Sequence, residues 1–106
     1  MKKWLALALM FPFAASAAPL DCSIKAAKFT SKSKMEGMAK VAVQDAQQTA
    51  VAKVSAAGAA IAKGGLEVED GCLVYSFDVK VPGKSGVEEV IIDAGNGKVL
   101  KTEHEN

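Results

Sequence analysis

The sequence contains no arginine and a single histidine. The lack of arginine excludes the planar guanidinium that grips a phosphate or carboxylate through two parallel hydrogen bonds. The lone histidine, His104, is close to the C-terminus, and terminal side chains are rarely held rigidly enough to serve as the base of a nucleophile–base pair. We therefore predict a protein that is not an enzyme and that carries no cofactor.

Long apolar runs are absent except at the start of the chain, where Lys2 and Lys3 precede the apolar stretch Trp4–Phe13. This stretch is too short to cross a bilayer, which needs about 20 residues. An Ala-x-Ala site follows at positions 15–17, and the whole layout is typical of a secretory signal peptide. We predict a signal peptide over residues 1–17 and a periplasmic or secreted product without stable membrane insertion. A retained membrane anchor is the alternative.

Acidic residues are scarce in the first third of the chain and plentiful in the last. Residues 23–40 contain five lysines and one acid, whereas residues 67–105 contain nine acids and four lysines. Without the two signal lysines the chain carries 11 lysines and 12 acids, a near-neutral balance that gives no reason to expect nucleic acid as a partner. The asymmetry could steer an oppositely charged partner or tie the two parts together, although ordinary solvated faces explain it as well.

Cysteine is also rare, with Cys22 and Cys72 the two in the sequence. In the oxidising compartment that a signal peptide predicts, two cysteines favour a disulfide bond. An intramolecular bond would close a loop of about 50 residues and stabilise the domain by roughly 4 kcal/mol, as an upper figure. Two free thiols and an intermolecular bond are the alternatives.

Residues 18–40 are rich in lysine and short of large apolar side chains, so this segment is either a short helix or a loosely packed arm. We expect a brief edge strand over residues 39–42. Residues 43–54 carry apolar side chains at spacings near three and four, which predicts an amphipathic helix. Gly58 ends this helix or lies just past its end.

Alternation of apolar and polar side chains predicts strands over residues 61–69, 73–81 and 87–94, with a short fourth over 98–102. In the second strand, Tyr75 and Phe77 alternate with polar residues, so we expect both in the core under the helix. Asp70-Gly71 is a tight hairpin turn by composition, and Gly64-Gly65 indicates a bulge or a ragged edge. One helix laid across an antiparallel sheet covers its single apolar face. The expected fold is α+β, with one main helix packed on a three- to four-stranded antiparallel sheet.

The candidate contact surface is formed by Glu67 and Glu69. They alternate with apolar Leu66 and Val68, so their side chains point away from the predicted core. We interpret them as a possible surface for a protein partner, although acids on an outward strand face are commonly just solvated.

Two further groups of acids could suggest a calcium site or another metal site, but each has a simpler explanation. Asp93 lies in Asp-Ala-Gly-Asn-Gly, where its expected role is structural, accepting backbone N–H bonds in the turn before Gly97. This loop is too short and has too few acids for a calcium-binding EF-hand. Glu103-His104-Glu105 offers one imidazole and scattered carboxylates, so we expect a solvated tail and no metal site.

The order of these features resembles the PepSY domain family, named for peptidase propeptides and a spore-germination protein. An alanine-spaced helix with Ala46 and Ala50 leads to Gly58, and the acidic strand Leu66–Gly71 and aromatic strand Leu73–Val79 follow. The pattern closes with Asp-Ala-x-x-Gly-x-Val-Leu, from Asp93 to Leu100. The resemblance places a PepSY-like domain at residues 41–104. Gly64-Gly65 departs from the family, which usually has larger residues at these positions.

The resemblance implies a secreted single-domain member that acts by binding. The family is associated with propeptides of secreted metallopeptidases and with regulation or inhibition of peptidases in the cell envelope. A peptidase inhibitor or regulator acting by protein–protein contact is therefore implied, through a sheet edge or the acidic outer face. The alternatives are a small-ligand or metal-responsive accessory domain of the envelope and a regulator that docks on the outer domain of a membrane sensor.

Overall fold

The structure is a computed structural model that describes residues 20–106. The predicted signal peptide lies outside the described residues. Within the described part of the chain, no helix combines the length and the apolar character needed to cross a membrane.

Two helices pack on a four-stranded antiparallel sheet, which confirms the predicted α+β fold. The strands lie in the sheet in chain order, β1-β2-β3-β4, so each strand pairs with the next along the chain. The elements are α1 (Lys32–Met38), α2 (Val43–Val54), β1 (Ala60–Glu69), β2 (Cys72–Lys80), β3 (Val87–Asp93) and β4 (Val99–Glu105).

Helix α2 has the bounds that its apolar spacing predicts. Ala46 and Ala50 are fully buried, and their small side chains let the helix backbone lie close to the sheet. The helix ends because Ser55 adopts a left-handed conformation with φ of 57°, and its N–H donates to the C=O of Val51. Gly58 therefore lies past the end of the helix.

The main core lies between α2 and one face of the sheet. Asp70 and Gly71 both have positive φ, as the two-residue hairpin between β1 and β2 requires. The hairpin sets a register in which alternate residues of β2 and β3 face the helices, and six of these residues are buried: Leu73, Tyr75, Phe77, Val79, Val90 and Ile92. Burying one large apolar side chain contributes about 1.5–3 kcal/mol, so this face holds most of the apolar stabilisation.

The opposite face of the sheet is covered at one end by residues 20–26, which we call the strap. Cys72, Val74 and Ile91 are fully buried beneath Leu20 and Cys22 of the strap. A disulfide bond joins Cys22 to Cys72, as the sequence favours, with 5.9 Å between the two Cα atoms. The strap also continues the backbone ladder, through bonds from the Ala26 N–H to Gly71 and from the Leu73 N–H to Ile24.

The lysine-rich segment forms the strap, a turn and the short helix α1. The N-cap of α1 is Ser31, whose side chain accepts a hydrogen bond from the N–H of Lys34. The expected edge strand over residues 39–42 is wrong. The N–H groups of Lys40 and Val41 both donate to one carbonyl, that of Ala94, so this segment crosses the end of the sheet and extends no edge of it.

The fourth strand is longer than predicted, and it includes residues 103–105, which were expected to form a solvated tail. Residues 99–105 form β4, which pairs with β3 from Ile92 to Val87. The side chains at positions 101–106 are exposed, but the backbone is held in the sheet. An edge strand tolerates a polar sequence of this kind, and the polar sequence is the reason that its length is hard to predict.

The first strand is irregular near Gly64-Gly65, as predicted. The register of β1 against β2 shifts between Ile61 and Lys63, which is a bulge. Gly64 has φ of 135°, a conformation that residues with a side chain rarely adopt.

Candidate functional site

Within residues 20–106, no strand pairs with the outer edge of β1, because β1 is the first strand of the sheet; we call this the free β1 edge. The N–H of Leu73 donates to the strap and its C=O accepts from the residue after β3, so both groups point away from β1. Residues directly opposite each other in an antiparallel pair either bond to each other through both backbone groups or both point away, and the two cases alternate along the strand. Val68 is opposite Leu73, so its N–H and C=O point outward from the sheet. The same holds for Leu66 and Gly64, which lie at two-residue intervals from Val68. Such a row of backbone groups is a template for an added strand.

An apolar groove of about 680 Å³ lies beside this edge. It is lined by Met35 of α1, by Val41 and by Leu66 of β1, with the nearly buried Tyr75 contributing from β2. Gly65 also lines the groove, and a side chain at that position would meet open space. The edge and the groove together form a site where one extended segment could both pair its backbone and bury a side chain.

Charged side chains border the groove on the helix side. Lys32, Lys40 and Glu36 line it and are exposed. The Tyr75 hydroxyl donates to the C=O of Val41 at 2.6 Å, and this bond holds the 39–42 segment over the sheet. Burial raises the pKa of Tyr75, and the charge of Glu36 adds to the rise. The hydroxyl therefore stays protonated and serves as a fixed donor.

Glu67 and Glu69 lie on the other face of the sheet, away from the helices. Their neighbours Leu66 and Val68 pack against the main core, so the side chains of β1 alternate between the two faces of the sheet, as the sequence indicates. Partial burial, a hydrogen bond with Glu69 and the charges of Glu69, Glu89 and Asp78 together raise the pKa of Glu67 to about 7. Whether these two residues contact a partner stays a prediction.

The acidic face extends across the sheet to β4. Asp78, Glu89 and Glu105 each place a carboxylate oxygen within 4.8 Å of the others. The Ser76 hydroxyl donates to Glu89 at 3.1 Å, and the Lys63 ammonium lies 3.9 Å from Asp78. Exposed acids are often found together without an ion, so the cluster alone does not define a metal site.

His104 is separated from the acids on either side of it in the sequence. Side chains alternate along a strand, so His104 faces away from Glu103 and Glu105. Its ring Nδ1 instead pairs with the carboxylate of Glu88, the residue opposite it in β3. This hydrogen bond raises the pKa of His104, with a further contribution from Asn106. Glu103-His104-Glu105 therefore does not converge as one set of ligands.

Asp93 joins the strap to the turn between β3 and β4. Its carboxylate accepts from the Ser23 N–H at 2.8 Å and the Ser23 hydroxyl at 2.7 Å, and from the N–H groups of Gly95 at 2.7 Å and Asn96 at 3.3 Å. Burial by itself raises the pKa of Asp93, but these hydrogen bonds together lower it below the ordinary value. Gly97 completes the turn with φ of 80°, its N–H donating to the Asp93 C=O.

Comparison with protein families matches the model of the peptidase propeptide and YPEB domain, PepSY, to residues 40–103. The chain belongs to the PepSY family. A search of curated proteins and a search of solved structures gave no match.

A PepSY domain is generally a propeptide or regulatory module, and that role fits a protein that binds and does not catalyse. The disulfide fits an oxidising compartment. The PepSY match begins at residue 40, so the strap and α1 are additions at its N-terminal side. Helix α1 supplies one wall of the groove, through Met35, and this wall therefore lies outside the matched region.

The groove is the part of the site that sequence reasoning missed. Tyr75 was expected in the core, and it is buried there, but its hydroxyl also reaches the segment before α2. Met35 is one of two methionines in the lysine-rich segment, and the sequence does not show which strand either of them will contact. Gly64-Gly65 indicated an irregular β1, and the register of this strand does shift close to the pair, but the two glycines do not by themselves indicate a contact surface.

Proposed function

We propose that this protein is a non-enzymatic regulator that acts outside the cytoplasm and restrains a peptidase by pairing the β1 edge with an extended segment of it. The observation that carries the proposal is the free β1 edge directly beside an apolar groove. Membership of the PepSY family, whose description names peptidase propeptides, supports a peptidase as the partner. The disulfide supports a periplasmic or secreted location.

Backbone pairing would supply the affinity. Gly64, Leu66 and Val68 present outward N–H and C=O groups at two-residue intervals, which is the spacing of a β-ladder. Recognition by strand addition takes its affinity from such main-chain bonds and its specificity from pockets for alternate side chains. Gly65 has no side chain to obstruct an approaching segment.

The groove would supply the specificity. Its volume of about 680 Å³ lies within the range of about 300–1,000 Å³ that is usual for ligand pockets. Its lining by Met35, Val41 and Leu66 suits an apolar side chain of the bound segment. Lys32 and Lys40 at the border favour a carboxylate nearby, against a single acid, Glu36.

The test places a photo-crosslinking amino acid at position 65, inside the site, and in a matched protein at position 98, on an exposed turn. Each protein is irradiated in envelope extract, and the crosslinked partners are identified by mass spectrometry. The proposal expects a peptidase crosslinked from position 65 and not from position 98. Recovery of a membrane sensor or of no specific partner from position 65 would contradict it.

The second step measures inhibition of the captured peptidase. The proposal expects the unmodified protein to inhibit, and Met35→Trp to inhibit at least tenfold less, because Met35 lines the groove and a larger ring there would fill it. Gly37→Trp is the matched control on the same helix, since position 37 has open space around it and does not line the groove. Equal inhibition by the wild-type protein and the Met35→Trp variant would show that another surface is used.

A further inference from the structure

Residues 25–34, which we call the basic turn, carry four lysines and no acid. All four lysines are exposed. The residue at its centre, Phe29, is 91% exposed, far more than Val43, the next large apolar side chain, at 44%. An aromatic ring left in water gives up most of the free energy that its burial would provide.

The exposure of Phe29 is fixed by the local fold. The N–H and the hydroxyl of Thr30 both bond the C=O of Ala27, at 3.1 and 2.6 Å, so the chain makes a closed turn with Phe29 at its tip. The strap holds this turn on one side through the disulfide, and the Ser31 N-cap of α1 begins on the other. The ring is therefore already held outward, and contact with a surface requires no further loss of conformational entropy in this turn.

The charged residues nearest to the ring in the sequence all have one sign. The Lys28 ammonium lies 5.6 Å from the centre of the Phe29 ring, and Lys25, Lys32 and Lys34 are its nearest charged neighbours in the sequence. The nine acids of residues 67–105 belong to the sheet and its turns. The charge separation would orient the molecule with its basic turn toward a negatively charged surface.

We propose that the basic turn docks the protein on an anionic bilayer surface, with Phe29 inserted at headgroup level and the lysines against the lipid phosphates. A single ring on a protruding turn fits a fluid interface, because lipids close around it without a preformed pocket. Aromatic side chains on amphipathic surfaces favour this interfacial depth, and lysines nearby add electrostatic attraction to anionic lipids. The lysine stems can also lie along the apolar boundary while their ammonium groups stay in water.

The docking would hold the domain near the membrane reversibly. Each lysine near an anionic leaflet strengthens partitioning about fivefold, and a partly buried phenylalanine adds about tenfold. Four lysines and one ring therefore give attachment that depends on ionic strength. Lys32 also borders the groove, but Lys28 and Phe29 do not line it, so variants at these two positions test the attachment separately from the peptidase proposal.

The test is co-sedimentation of the protein, purified as cells process it, with vesicles of equal parts phosphatidylglycerol and phosphatidylcholine. The N-terminus is established by intact mass. We expect binding that weakens as salt rises, falls about tenfold in Phe29→Ser and falls about fivefold in Lys28→Gln. Val43→Ser and Lys98→Gln are the matched controls, because they remove an exposed apolar group and a lysine outside the basic turn, and both should bind as the wild type does.

Three results would overturn the proposal. The first is absence of binding to the anionic vesicles, and the second is equal binding to vesicles of phosphatidylcholine alone. The third is that soluble poly-glutamate at matched charge displaces the protein from the vesicles while Phe29→Ser has no effect on binding. That result would indicate that the basic turn binds an acidic polypeptide. The circular dichroism spectrum and the urea midpoint of Phe29→Ser should be unchanged, because the Phe29 side chain is 91% exposed. Unchanged values would show that a loss of vesicle binding is not caused by a folding defect.

Discussion

Gly64 and Gly65 are adjacent, yet substitution by alanine should change the stability of the protein in opposite directions. A Cβ atom at Gly64 would lie 2.1 Å from the C=O oxygen of Ser76 and 2.7 Å from the Cα of Phe77. Both atoms belong to the backbone of β2, so the two strands would have to separate. A Cβ atom at Gly65 would meet nothing within 4 Å.

The expected magnitude follows from two costs. A side chain at φ of 135° is strained by about 1–3 kcal/mol, and forcing extra volume between packed strands costs about another 1–3 kcal/mol. Gly64→Ala should therefore destabilise the protein by about 2–6 kcal/mol, a large share of the 5–15 kcal/mol that is usual for a domain. Gly65→Ala should stabilise it by about 0.5–1 kcal/mol, because alanine restricts the unfolded chain and fits the strand.

Urea unfolding of the oxidised protein at neutral pH, followed by far-ultraviolet circular dichroism, measures both changes on one scale. The slope of the free energy against urea concentration should be the same for the three proteins, so that the midpoints report stability. A loss of less than about 1 kcal/mol in Gly64→Ala, or a comparable loss in Gly65→Ala, would refute the close approach of the strands at Gly64.

Three further changes test the strap and the acidic face. Replacing both Cys22 and Cys72 by serine should cost up to about 4 kcal/mol in urea unfolding, because the disulfide closes a loop of about 50 residues. Asp93→Asn should lower the free energy of unfolding by about 2–3 kcal/mol, because hydrogen bonds to a charged, buried carboxylate are among the stronger ones. Release of the strap should also appear as faster amide exchange at Ser23. Glu67→Gln should stabilise the protein at pH 8 by about 1 kcal/mol, after allowance for solvent screening, and should be neutral below pH 4.

The sign of the last effect follows from the direction of the pKa shift. The folded chain raises the pKa of Glu67 from 4.5 to about 7, so it binds an extra proton in that window and loses stability as the pH rises through it. A stability that did not fall between pH 4.5 and 7 relative to Glu67→Gln would contradict the raised pKa. Serine variants as stable as the oxidised protein, or an Asp93→Asn variant with unchanged exchange at Ser23, would contradict the role given to the strap.

The regular part of the fold could be predicted because its apolar pattern is periodic. Helix α2 has the predicted bounds, and the aromatic strand buries Tyr75 and Phe77 on the expected face. The turn at Asp70-Gly71 was predictable because few other dipeptides accept positive φ at both positions. In each of these cases the local preference and the tertiary packing agree.

The disulfide from Cys22 to Cys72 could be predicted, but the way in which the strap covers the second face of the sheet could not, because the residues that do so look unremarkable in the sequence. Val74 and Ile91 face away from the helices and would be exposed on a two-layer domain, but Leu20 and Cys22 cover them. The segment over residues 39–42 was misjudged because its backbone is satisfied by a single distant carbonyl, at Ala94, which no local pattern reveals. The groove depends on where α1 contacts β1, and that contact also follows from long-range packing.

The central claim is that the free β1 edge receives an extended segment of a peptidase. Hydrogen exchange of the backbone amides, with and without the peptidase captured from position 65, tests it most directly. The account predicts that the outward amides of Leu66 and Val68 exchange more slowly in the complex, while those of Thr102 and His104 on the opposite edge of the sheet do not change. Unchanged exchange at Leu66 and Val68, with protection elsewhere on the domain, would contradict it.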